Sequence, residues 1–147
     1  MFGSIVVGTD GSETAGEAVR QAIDLAKTLG GRVNLVSAYE PVSNTRLREE
    51  RQQVPKDMEW MVNPREDVEA TLKAAAERLE EAGVEVETFA REGDPADAIL
   101  DVAEEQGAEL IVVGNRGMTG AKRFLLGSVP NKVSHHAPCS VMIIRTS

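Results

Sequence analysis

Residues 110 to 128 read Leu110-Ile111-Val112-Val113-Gly114-Asn115-Arg116-Gly117-Met118-Thr119-Gly120-Ala121-Lys122-Arg123-Phe124-Leu125-Leu126-Gly127-Ser128. The first four form the short apolar run expected of a strand buried on both faces of a parallel sheet. Glycines let the backbone after it approach a ligand closely, and Gly127-Ser128 stands ahead of a segment able to form a helix. Strand, glycine-rich loop and helix start make a phosphate-binding arrangement, because the free N–H groups of a helix start donate to an anion. The spacing is Gly114, two residues, Gly117, nine residues, Gly127-Ser128. It matches neither the P-loop nor the Gly-x-Gly-x-x-Gly dinucleotide fingerprint.

Charge sets the same region apart. Every one of the 24 acidic residues lies at or before Glu109, whereas Arg116, Lys122, Arg123, Lys132 and Arg145 follow it. A chain with a net charge of −8 has kept its glycine loop basic, which favours a polyanionic ligand there. The same overall acidity argues against general nucleic-acid binding.

With 147 residues, 41% of them hydrophobic and 27% charged, the sequence reads as one domain, 1–147, large enough to bury a core. No apolar stretch has the length of a membrane span, and the first residues lack a signal-peptide pattern, so a cytoplasmic protein without membrane contact is expected. Cys139 is the single cysteine and reads as a small packing residue beside Pro138.

Outward from the loop, apolar periodicity alternates between two and about 3.6 residues. Ser4 to Gly8 reads as a strand followed by the turn residues Thr9-Asp10-Gly11-Ser12, with Ser12 as a helix cap. A helix from Thr14 to Leu29, a strand from Val33 to Ala38, a helix from Arg65 to Ala82 and a strand from Val84 to Ala90 follow. Gly93-Asp94-Pro95 caps a helix from Ala96 to Gln106, Glu109 to Val113 is a strand, Ser128 caps a helix running to His135, and Val141 to Ile144 is the last strand. Between them, Pro41 to Pro64 is irregular, with Met58, Trp60 and Met61 as a loop anchor. Alternating strands and helices call for a parallel sheet covered on both faces, with a ligand crevice beyond the carboxyl ends of the strands. Gly8 to Ser12 and Gly114 to Ser128 are expected to face each other across it. His135 and His136 diverge around a helix and read as a helix-end feature rather than a metal pair.

Three segments carry a family resemblance: Ile5-Val6-Val7-Gly8-Thr9-Asp10-Gly11-Ser12, Val112-Val113-Gly114-Asn115-Arg116-Gly117, and Gly127-Ser128-Val129 with Pro138-Cys139-Ser140-Val141. The chain resembles the universal stress proteins of the single-domain, nucleotide-binding type. The resemblance implies a Rossmann-like five-stranded parallel sheet in the order 3-2-1-4-5, with ATP at the carboxyl ends of strands one and four. It implies that Gly8, Thr9 and Asp10 meet ribose and adenine, that Ala38 offers main-chain groups to the adenine edge, and that Val113 and Gly114 pack on sugar and base. Arg116, Gly117, Gly127, Ser128 and Val129 would surround the phosphates, with Mg²⁺ arriving on the phosphate oxygens. Asn115 stands where many relatives have Ser, and Pro130 where others have an N–H that a first helical turn can forgo.

No Ser-His-Asp or Cys-His set stands out, so a binding module for stress response or regulation is expected rather than an enzyme. Slow ATP hydrolysis or self-phosphorylation at Ser128 or Thr119 is compatible with it. The same pocket could instead take cyclic AMP, which would use Lys122 and Arg123 less. An adenylyl transferase of similar architecture would carry His-x-x-His or Ser-Gly-Gly-x-Asp, and neither occurs. An apolar edge strand at 141–144 predicts a homodimer, as is common among universal stress proteins.

Overall fold

Five strands and four helices alternate along the described part of the chain. They are β1 (Ser4–Gly8), α1 (Glu13–Leu29), β2 (Arg32–Tyr39), α2 (Arg65–Glu81), β3 (Val86–Glu92), α3 (Pro95–Glu105), β4 (Leu110–Gly114), α4 (Ser128–His136) and β5 (Ser140–Ile144). The computed structural model describes residues 2–10, 13–39, 65–115 and 128–145. All pairings are parallel and the order is β3-β2-β1-β4-β5, as the alternation and the resemblance imply. Ser12, residues 41–64 and the loop at 116–127 lie outside the described residues.

Strand alternation distributes the core over two faces. Ile5, Val7, Val33, Leu35, Leu110 and Val112 point to the side covered by α1 and α2, where Ala18, Ala22, Val68, Leu72 and Leu79 meet them. Val6, Val36, Ile111 and Val113 point to the other side, under Ile99 and Val102 of α3 and Val133 of α4. Runs such as Ile5-Val6-Val7 are apolar throughout because both faces of a central strand are covered.

One strand starts later than its apolar pattern suggests. Val84 is buried, yet β3 begins at Val86, opposite Val33. The N–H of Val84 already donates to the Leu79 carbonyl at 3.0 Å, while Gly83 takes φ +80° and its N–H donates to the Glu80 carbonyl at 2.9 Å. This is a Schellman closure of α2, with Val84 as its apolar anchor on the core. Apolar character at 84 therefore serves the helix end. β3 in turn extends past Ala90 to Glu92, paired with Tyr39.

The strands do not end level. β1 pairs with β2 only as far as Gly8 and Val36, and with β4 only as far as Val7 and Val112. β2 continues to Tyr39 against β3, and β4 continues to Gly114 against Ile144 of β5. The carboxyl edge of the sheet is thus notched at its middle strand.

Candidate functional site

The notch is the floor of an open cleft of about 550 Å³, counting space open to solvent. Gly8, Thr9 and Asp10 leave β1 along it, Val36, Ser37 and Ala38 form one wall, and Val113 and Gly114 the other. Pro95 and Ile99 of α3, Ala15 of α1 and Val129 and Pro130 of α4 complete the lining. Seven residues singled out from sequence, Gly8, Thr9, Asp10, Ala38, Val113, Gly114 and Val129, therefore meet at one place. Ser128 begins α4 beside them and is exposed. Arg116, Gly117 and Gly127 lie outside the described residues.

Gly8 packs closely beneath the tip of the Ile99 side chain. Its φ is not positive, but a Cβ there would stand 2.6 Å from Ile99 Cδ1 and 3.2 Å from Ile99 Cγ1. Ile99 lies against the strand end because α3 crosses β1 and β2 at this point, which fixes the floor of the cleft. The Thr9 N–H donates to the Val36 carbonyl at 2.9 Å and closes the corner after β1.

Beyond that bond β2 has no strand neighbour on its β1 side among the described residues. In a parallel strand the N–H and C=O of one residue point the same way, and alternate residues point to alternate sides. Val36 addresses β1, so Ala38 does too, and β1 has already ended. The Ala38 N–H and C=O accordingly face the cleft as a donor–acceptor pair.

Three helices begin around the cleft, as they must where parallel strands end, but their N-termini differ. α3 is neutralised: Asp94 is its N-cap, accepting from the Ala96 N–H at 3.4 Å, Pro95 is its first residue and Asp97 lies in its first turn. α4 has no acid in its first turn. The described part of this helix begins at Ser128. With Pro130 lacking an N–H, Ser128 and Val129 are the described first-turn donors of α4.

α4 is fixed to α3 by Lys132, whose ammonium lies 2.8 Å from Asp94 Oδ2 and 2.9 Å from Asp97 Oδ1. The Lys132 hydrogen bond holds the Asp94 carboxyl below the usual carboxylate range, and the two carboxylates push the Lys132 pKa up. At the start of the glycine loop, the Asn115 N–H donates to the Ile144 carbonyl at 2.9 Å, tying the loop to the end of β5. Cys139 packs against the α3 and α4 face, where burial pushes its thiol pKa up, away from thiolate chemistry. His135 and His136 close α4 with ring centroids 6.5 Å apart. Among the described residues no helix is long and apolar enough to cross a membrane.

The model of the Universal stress protein family matches residues 1–145. The chain belongs to that family. A universal stress protein of Bacillus subtilis is 36% identical over 148 residues, covering 99% of this chain and all of its own length. One from Mycobacterium tuberculosis is 35% identical over 147 residues, covering 99% of this chain and 98% of its own. Among solved structures, a universal stress protein in complex with cAMP superposes with a TM-score of 0.73 at 34% identity, over 98% of this chain and 97% of that one.

Ala15, Val36, Ser37, Pro95, Ile99 and Pro130 line the cleft without having been singled out for it. Pro95 and Ile99 carried the signals of a helix start and a helix core face, and nothing local in the sequence says that this helix leans over the end of β1. Ser37 had a signal, a hydroxyl in an apolar strand next to Ala38.

Proposed function

We propose that this universal stress protein is an adenine-nucleotide-binding module acting in stress response or regulation, without a catalytic role of its own, and that ATP is its ligand. The observation that carries the reading is the notch: beyond the end of β1, the Ala38 main chain offers a donor beside an acceptor, complementary to the ring nitrogen and amino group on the edge of adenine. The rest of the cleft suits the remainder of the molecule. Ala38, Val36 and Val113 would give apolar walls to a flat base, and Asp10, which also lines the cleft, would meet the ribose hydroxyls. The acid-free start of α4 lies on the far side of β1 from β2, where the phosphates would sit with Arg116, Gly117, Gly127, Ser128 and Val129 around them. Mg²⁺ would be carried on the phosphate oxygens.

Cyclic AMP is the second reading, favoured by the similarity to a family member in complex with cAMP. A homodimer formed through β5, at residues 141–144, belongs to the same proposal. β5 is an edge strand, Ile143 on it is 36% exposed, and an apolar edge of this kind pairs readily with a second copy.

Calorimetric titration of ligand-stripped protein with ATP and Mg²⁺, ADP, AMP, cyclic AMP and adenosine tests the reading, with Ser128→Asp alongside. An acidic residue in the first turn is compatible with the helix but repels phosphate. The expected result is ATP binding that Ser128→Asp weakens at least about tenfold, with adenosine binding retained. Tighter binding of cyclic AMP would move the function to second-messenger binding, and absence of binding to every nucleotide would sink the proposal.

A further inference from the structure

Main-chain groups along one side of a strand follow a fixed order. Within each residue the N–H comes first, and the C=O follows it toward the carboxyl end. On the β1 side of β2 the order is therefore the Val36 C=O, the Ala38 N–H and the Ala38 C=O. The Val36 carbonyl already accepts the Thr9 N–H at 2.9 Å. Groups on one side of a parallel strand are evenly spaced, at about one residue's rise of roughly 3.3 Å. An atom paired with the Ala38 N–H thus stands beside the Thr9 nitrogen at about van der Waals distance. The corner is packed from behind. Thr9 is 8% exposed, and Gly8 before it is backed by Ile99 Cδ1, 2.6 Å from where a Cβ would stand.

We infer that the Gly8–Thr9 corner is a specificity-determining wall, which admits a base carrying only hydrogen at C2 and excludes purines substituted there. The inference rests on the nucleotide reading of the cleft, with the Ala38 N–H on ring nitrogen N1 and the Ala38 C=O on the 6-amino group. That pairing sets the direction of the base edge. The amino group lies onward along β2, toward Tyr39, and C2, on the other side of N1, is turned back toward Thr9. A hydrogen at C2 fits against the Thr9 main chain. A larger group meets the Thr9 nitrogen and the Val36 carbonyl paired with it, and relief requires the N1 contact to lengthen or the Thr9–Val36 bond to open. A wall that clashes with the wrong ligand gives selectivity as a contact with the right one does. The ligand class narrows to 6-aminopurine nucleotides unsubstituted at C2, and guanine is turned away at C2 as well as mismatching the Ala38 pair.

The test is titration of ligand-stripped wild-type protein with ATP and 2-methylthio-ATP, together with nuclear Overhauser spectra of bound ATP. If cyclic AMP proves the tighter ligand, it and its 2-methylthio analogue replace them. The 2-methylthio group is expected to cost at least about tenfold in affinity, as overpacking against a fixed wall does. The H2 proton of the bound base is expected to show cross-peaks to backbone protons of Gly8 and Thr9, and H8 none to Thr9. Similar or tighter binding of the 2-methylthio analogue, or an H2 proton without contact to Thr9, would overturn the assignment while leaving the cleft a nucleotide site. Wild-type protein that binds no nucleotide would remove the underlying reading together with this one.

Discussion

Lys132 Nζ lies 2.8 Å from Asp94 Oδ2 and 2.9 Å from Asp97 Oδ1, so a single cation of α4 grips both the cap and the first turn of α3. These two helices supply Pro95, Ile99, Val129 and Pro130 to the cleft, and the clamp sets their spacing. Lys132→Met keeps the aliphatic stem and removes the charge. It is expected to lower the urea midpoint modestly at low salt, with the difference shrinking at high salt because the groups are partly exposed and screened. Urea titration of both proteins at two ionic strengths measures it.

The same clamp gives a pH dependence with a definite sign. Lys132 holds the Asp94 pKa below its ordinary value of about 3.9, helped by the Ala96 and Asp97 backbone N–H groups and opposed by burial. A depressed folded-state pKa gives stability that is complete above the unfolded value and is lost as pH falls through the folded one. Asp94→Asn keeps a good helix cap but abolishes the titration. Its deficit relative to wild type is expected to be constant from pH 5 to 7 and to vanish in stronger acid. Denaturation midpoints against pH read it out.

At the cleft floor, Gly8→Ala places a methyl group 2.6 Å from Ile99 Cδ1. Overpacking of this kind is expected to cost about 1–3 kcal/mol. Ile99→Val deletes the clashing Cδ1 methyl and alone costs about 0.5–1.5 kcal/mol. The double variant is expected to be more stable than the two single losses predict, by about 0.5 kcal/mol or more, because the residues share one contact. A double-mutant cycle on thermal or chemical unfolding decides the point, and strictly additive losses would refute the packing role of Gly8.

Asn34 is fully buried in β2 and donates to Ser4 Oγ at 3.2 Å and to the Ile5 carbonyl at 3.4 Å, while Arg32 approaches its oxygen. It ties the amino ends of β1 and β2 together, opposite the cleft. Asn34→Ala leaves those groups short of a partner and is expected to destabilise by about 1–3 kcal/mol with no direct effect on the cleft. Thermal melting with and without ligand separates the two effects.

For the proposed dimer, Ile143→Lys puts a charge on the exposed apolar edge of β5. The variant is expected to elute as one chain of 15.8 kDa where wild type elutes as two. Wild-type protein eluting as a single chain would refute the dimer.

Most of the architecture was legible because parallel strands and their helices announce themselves by period. Ile5-Val6-Val7 and Leu110-Ile111-Val112-Val113 could only be strands covered on both sides, and the βα alternation left few windings open. Boundaries failed where one residue served two elements. Val84 looked like strand because it is apolar and in phase, but its N–H completes the end of α2. The site was legible along β1, β4 and the start of α4, where glycine and polar residues interrupt apolar runs. The contribution of Pro95 and Ile99 was not, because it depends on how α3 leans across the sheet, a tertiary fact without a local signature.

The cleft borrows its walls from residues 8–10, 15, 36–38, 95, 99, 113–114 and 129–130, pieces spread over nearly the whole chain. An unfolded chain keeps those pieces apart and offers an occupant nothing to hold. Any molecule seated there thus acts as a removable cross-link on the folded state alone. At a concentration a hundredfold above its dissociation constant it adds about 2.7 kcal/mol, against a typical total of roughly 5–15 kcal/mol for a domain. Supply of such a molecule would therefore raise the fraction of the protein that survives as folded chain when heat or denaturant presses on it.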